Sequence, residues 1–128
     1  MENSFFAPET EKSPEIKGDI EKGTLSIIGK SLPEDARSFF SPFQNWLEEF
    51  YKSKADILKV SIELEYYNTV SSKVLINMMR EMKTLQHSRK IQIEWRYDQD
   101  DFEMEETGND FRKLVGDVLV MTPIELKS

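Results

Sequence analysis

The sequence predicts an α/β fold, a β-sheet with helices packed on it, in the order β-β-α-β-α-β-α-β. Two observations carry this. Residues 57–67, "ILKVSIELEYY", and residues 90–98, "KIQIEWRYD", alternate apolar and polar side chains with the period of a strand that buries one face. Between them, from Thr69 to about His87, apolar residues recur at helical spacing. A strand–helix–strand connection of this kind favours a parallel pair with a right-handed crossover. At 128 residues the chain has the length of one domain.

Residues 1–13 are polar and read as a flexible lead-in, with a single domain over residues 14–128. "PEIKGDIEKGTLSIIG" reads as two short strands around Gly23, because β-formers flank a Glu-Lys-Gly turn. The first helix follows. Phe39, Phe43, Trp46, Leu47 and Phe50 lie on one face, and Ser31 and Glu34 have capping-box spacing with Pro33 early in the helix. Pro42 removes a hydrogen bond from the helix interior, so a kink or a restart capped by Ser41 is expected there. In the next strand Leu58, Val60, Ile62 and Leu64 point one way, and Lys59, Ser61, Glu63 and Glu65 the other.

The second helix places Val74, Leu75, Met78, Met79, Met82 and Leu85 along one side, a pattern that fits core filling better than an adaptable binding face. The following strand buries Ile91, Ile93 and Trp95. An acidic loop from Asp98 to Glu106, a short helix around residues 110–115 and a last strand "VLVM" complete the chain.

Composition excludes several functions. There is no cysteine, which removes disulfides, zinc-thiolate sites and thiol nucleophiles. The net charge of -7 and the interleaving of Lys and Arg with acids argue against a nucleic-acid partner. No apolar run approaches the ~20 residues of a membrane span, so no membrane association and a cytoplasmic location are expected. His87 is the sole histidine and stands at a helix end, where it meets the last carbonyls rather than a metal. The run "DQDDFEMEE" fails as an EF-hand. Counting from Asp98, position 5 is Phe102, position 6 is Glu103 and position 12 is Asn109. It reads as a solvated loop or a docking surface for basic groups. No base, nucleophile and metal constellation can be assembled, so neither catalysis nor a cofactor is expected.

The junction "YYNTVSSK", residues 66–73, is the candidate site. Asn68 and Thr69 end a strand and open a helix, and capping alone accounts for such residues. The same place suits a phosphate. Amide donors of residues 70–72, the positive end of the helix dipole and Lys73, one turn beyond Thr69, converge there. A P-loop is excluded, because no glycine lets the backbone wrap a phosphate. Two readings stay open. One is a covalent phosphate on an exposed hydroxyl, with Ser71 and Ser72 as alternative acceptors to Thr69. The other is a small module that holds a phosphate or nucleotide noncovalently at the same helix start.

Three blocks carry a resemblance. "TEKSPEIKGDIEKGTLSIIGKSLPEDARSFFSPFQNWLEEF", "LEYYNTVSSKVL" and "WRYDQDDFEMEETGNDF" are similar, in order and spacing, to the SiaC family of bacterial regulatory phosphoproteins. The likeness runs from about residue 10 to 121. It implies a fold like the anti-sigma-factor antagonists, a STAS-like small mixed β-sheet flanked by helices. It also implies a non-enzymatic threonine switch. A serine/threonine kinase of the histidine-kinase-like ATPase class would phosphorylate Thr69, and a metal-dependent serine/threonine phosphatase would restore it. The unphosphorylated form would bind and activate a diguanylate cyclase. Tyr67, Asn68, Val70, Ser71, Ser72 and Lys73 form the expected phosphosite neighbourhood and partner contact. Two positions depart from the family pattern: Val70 stands where Ser is common, and Leu32 where Tyr is usual.

Overall fold

In the computed structural model, residues 4–125 are described. Residues 1–3 of the expected lead-in and 126–128 of the expected domain lie outside them. The elements are β1 (Ser4–Ala7), β2 (Glu15–Asp19), β3 (Thr24–Ser31), α1 (Ala36–Phe50), β4 (Ile57–Tyr67), α2 (Thr69–Thr84), β5 (Lys90–Asp98), α3 (Phe102–Val115) and β6 (Leu119–Ile124). The six strands form one sheet in sequence order. β1, β2 and β3 pair antiparallel, and β3, β4, β5 and β6 pair parallel, each parallel step bridged by a helix. The sheet is mixed, as expected.

The buried positions explain the layering. Leu25 and Ile27 on β3, the even positions from Leu58 to Leu64 on β4, and Ile93, Trp95 and Tyr97 on β5 join the apolar faces of all three helices in one cluster. The alternate residues, Ser26, Lys59, Glu63, Gln92 and Glu94 among them, stay partly or fully exposed. The helices therefore cover one face of the sheet. On the other face Arg96 Nε donates to Glu63 Oε1 at 3.0 Å, while Ser61 and Thr122 donate to the two oxygens of Glu94 at 3.2 and 3.0 Å. The Glu63 carboxylate is the main reason the Arg96 pKa rises. These polar side chains of the partly exposed face are paired with one another.

Four expectations are corrected. First, the supposed lead-in contains β1. Phe5 packs against Phe43 and Trp46 at 5.6 and 5.8 Å between ring centroids, and Leu32 N–H donates to the Lys12 carbonyl at 2.7 Å. A polar composition concealed an edge strand held by one aromatic side chain. Second, α1 starts at Ala36, not near Ser31. Asp35 is its cap, accepting from the Ser38 N–H at 3.1 Å and the Ser38 hydroxyl at 2.9 Å. These bonds hold the Asp35 carboxyl below the usual carboxylate range, so its contribution is present above that range and fades as acidification protonates it.

Third, α1 runs unbroken through Pro42, and Phe40 rather than Phe39 is fully buried. Packing overrides the missing bond: Trp46 stacks on Phe43 and Phe50 at 6.4 and 5.2 Å between centroids. Fourth, the acidic stretch is not a loop. From Phe102 onward it is the start of α3, with Asp101 accepting the Met104 N–H at 3.0 Å and Glu103 and Glu105 in the first turn. Acids there face the positive end of the helix dipole, and glutamate is itself a good helix former, so the charged run favours the helix. The C-terminal strand extends three residues beyond the expected "VLVM" to Ile124 and begins one later, at Leu119.

The remaining elements match. β4 has the expected limits and α2 the expected start; α2 ends at Thr84, short of the expected end near His87, and Leu85–His87 is a 3-10 turn. Met78, Met79 and Met82 are core residues, as are Trp95 and Tyr97. Gly23, at φ 70°, closes the β2–β3 turn through its N–H to the Asp19 carbonyl at 2.9 Å, a conformation glycine adopts without strain.

Candidate functional site at the start of the second helix

The site begins with an irregularity in β4. Gly29 of β3 pairs with Leu64, but Lys30 pairs with Tyr66, so Glu65 has no opposite residue on β3. This is a β-bulge. Alternation from Leu64 would carry Tyr66 into the core; with one extra residue it lies 60% exposed, its ring 6.0 Å from Lys30 Nζ. Tyr67 regains an inward lean, and its hydroxyl meets Thr107 Oγ1 of α3 at 2.8 Å.

Beyond the bulge, Asn68 ends the strand and caps α2. Its Oδ1 accepts the Ser71 N–H at 2.9 Å, its backbone carbonyl accepts the Ser72 N–H at 3.0 Å, and its own N–H donates to the Ser31 carbonyl at 3.0 Å. Of the amides expected to be available to a phosphate, those of Ser71 and Ser72 are thus committed. The open first-turn donors are Thr69 and Val70. Asn68→Ala is expected to lose about 1 kcal/mol, read as a lower urea midpoint with an unchanged slope.

The hydroxyls of the motif differ sharply. Ser71 is 0% exposed; its hydroxyl donates to the Ser31 carbonyl at 2.9 Å and lies 2.6 Å from Ser31 Oγ. Ser72 is half-buried and donates back to the Thr69 carbonyl at 2.9 Å. Thr69 is exposed at the first helical position, and its Oγ1 has no hydrogen-bond partner among the described residues. Val70 is 47% exposed beside it, and Lys73 is exposed one turn further on. One hydroxyl is offered to solvent; another is built into the core.

Sequence reading missed Ser31, which it placed at a helix cap. Ser31 is instead the buried last residue of β3, opposite Tyr67. Forty positions separate it from Ser71, and no local pattern marks such a pair. Thr107 and Lys30 were missed for the same reason. Two open clefts, of about 560 and 540 Å3, lie elsewhere, one against β1–β3 and the other beside Pro33–Asp35; Thr69 lines neither.

With the fold and this junction in place, the model of the SiaC family of regulatory phosphoproteins matches residues 7–124. The chain belongs to the SiaC family. It is 30% identical over 112 residues to an uncharacterized protein of Pseudomonas aeruginosa (strain UCBPP-PA14), covering 87% of this chain and 89% of that one. Among solved structures it is similar to apo-SiaC from Pseudomonas aeruginosa, with 27% identity, a TM-score of 0.81, and coverage of 93% of this chain and 98% of the other. It is also similar to a chain in the crystal structure of the diguanylate cyclase SiaD in complex with its activator SiaC, from the same organism. There the identity is 26% and the TM-score 0.85, over 94% and 99% of the two chains. The mixed six-stranded sheet with its helices is thus a SiaC-family architecture, and a regulatory phosphoprotein is the family's description. None of the helices among the described residues is long and apolar enough to cross a membrane.

Proposed function

We propose that this SiaC-family protein activates a diguanylate cyclase and is switched off by phosphorylation of Thr69. The accessibility of the hydroxyls carries the reading: of the motif's three serine and threonine hydroxyls, Thr69 is the exposed, uncommitted one. A kinase of the histidine-kinase-like ATPase class transfers the γ-phosphoryl group of ATP to Thr69 Oγ1. ADP leaves, and the hydroxyl proton passes to a base of the kinase. A metal-dependent phosphatase returns the hydroxyl by hydrolysis. Unmodified, the surface of Tyr67, Asn68, Val70, Ser72 and Lys73 docks the cyclase; Ser71, expected among these contacts, is fully buried and stands behind the surface. The solved complex of SiaD with its activator SiaC, whose fold this chain shares, supports the cyclase as effector.

The switch follows from desolvation. A phosphate adds about -1.5 to -2 charge at one spot. Burying it in an interface fitted to a neutral threonine costs several kcal/mol unless a cation meets it. The net charge of -7 leaves little positive background to absorb that charge.

The test is cyclase activity from GTP, measured with the unmodified protein and with protein phosphorylated to completion at Thr69. Stimulation by the first and none by the second is expected. Equal stimulation by both would remove Thr69 from the switch.

A further inference from the structure

We infer that Ser71 is a positioning residue for the Thr69 site, acting through the buried pair it forms with Ser31. This rests on Thr69 being the phosphoacceptor. Both serines are almost fully buried, Ser71 at 0% and Ser31 at 2% exposure. A buried hydroxyl without partners is costly, so the two are held to each other. The Ser71 hydroxyl spends its proton on the Ser31 carbonyl, so the Ser31 hydroxyl donates to Ser71 Oγ.

The same Ser31 carbonyl also accepts the Asn68 N–H. One carbonyl at the end of β3 therefore fixes the cap of α2 and its third residue together. Thr69 and Val70 are the residues between these anchors. Their backbone is pinned on both sides although their own side chains touch nothing in the core. Val70 cannot supply a hydroxyl bond in the first turn, which leaves the orientation of that turn to Ser71 and Asn68. The geometry sets where Thr69 Oγ1 points, and a kinase must meet it in one orientation.

The test compares Ser71→Ala, Ser31→Ala and a core control, Val60→Ala, well below their melting temperatures. Two measurements are made on the full chain. One is amide hydrogen exchange at Ser72, whose N–H closes the first turn. The other is the initial rate of phosphate incorporation at Thr69 from MgATP, against protein concentration, in an extract of the source cells. Ser71→Ala is expected to speed Ser72 exchange and to lower the limiting rate by about tenfold or more. Ser31→Ala keeps the carbonyl acceptor and should have a smaller effect on both. Val60→Ala should lower stability and leave the phosphorylation rate as it was.

The inference is overturned if Ser71→Ala leaves exchange and rate within twofold of the unsubstituted protein, or if Val60→Ala slows the reaction as much. The functional reading fails separately, and visibly, if the unsubstituted protein takes up phosphate elsewhere than Thr69; the exchange measurement then still decides whether Ser71 orders the turn.

Discussion

Thr69→Ala is expected to abolish phosphorylation while the protein folds as before and still binds its cyclase. Each part has a separate cause. Thr69 Oγ1 bonds nothing among the described residues, and the residue is exposed at the first position of α2. Alanine suits a helix at least as well, so stability should stay within about 0.5 kcal/mol. The neighbouring hydroxyls offer no substitute acceptor: Ser71 is enclosed and Ser72 is turned back on the Thr69 carbonyl. Intact-mass measurement of the variant from cells checks the first point and titration against the cyclase the second. Phosphate retained in full on the variant would move the acceptor. Loss of cyclase binding would show the hydroxyl to be an interface contact and not only a carrier. Thr69→Asp is a poor substitute for the modified state, because it supplies about half the charge and fewer acceptor oxygens.

Gly18→Ala is expected to cause the largest loss of stability, about 2–3 kcal/mol, seen as a fall in Tm of about 10 °C. Gly18 is buried in β2 beneath the indole of Trp46. A Cβ there would stand 2.2 Å from Cη2, with Cζ3 and Cζ2 at 2.8 and 2.9 Å. Moving the ring disturbs its contacts with Phe5, Phe43 and Phe50, which lie at centroid distances of 5.8, 6.4 and 5.2 Å. Relief requires α1 to lift from the sheet or the β1–β2 edge to bend away. Thermal unfolding followed by circular dichroism measures this, and a change under about 2 °C would mean that the helix moves at almost no cost. Gly108 makes a similar close approach on α3, where a Cβ would lie 2.5 Å from Trp95 Cδ1.

What the sequence made legible follows from range. β4 was legible to the residue and α2 in its start, because period-two and helical spacing are written in consecutive side chains and Asn68 is a recognisable cap. The family was legible from blocks spanning most of the chain. Errors fell where a distant partner outvoted the local signal. Ser31-x-x-Glu34 satisfies a capping box, yet pairing with β4 holds Ser31 in the sheet, and Asp35 caps instead. Pro42 argues for a break that aromatic packing overrides. β1 carries little β-propensity beyond its two phenylalanines and exists through Phe5 on the core and pairing with β2. At the junction, the exposure of Thr69 was a fair expectation for a helix start. The enclosure of Ser71 was not legible, since it depends on a strand forty residues earlier.

The unpaired Glu65 has a consequence for how the family can vary. Side chains on a strand swap sides at every step, so the presentation of everything after Leu64 depends on how many residues come between, whatever their identity. One further residue between Leu64 and Tyr66 would leave each member of the motif present and unaltered, but would drive Tyr66 toward the interior and pull the helix opening out of phase. An intact motif can therefore be silenced by arithmetic alone, and among relatives the spacing ahead of the threonine is as telling as the threonine.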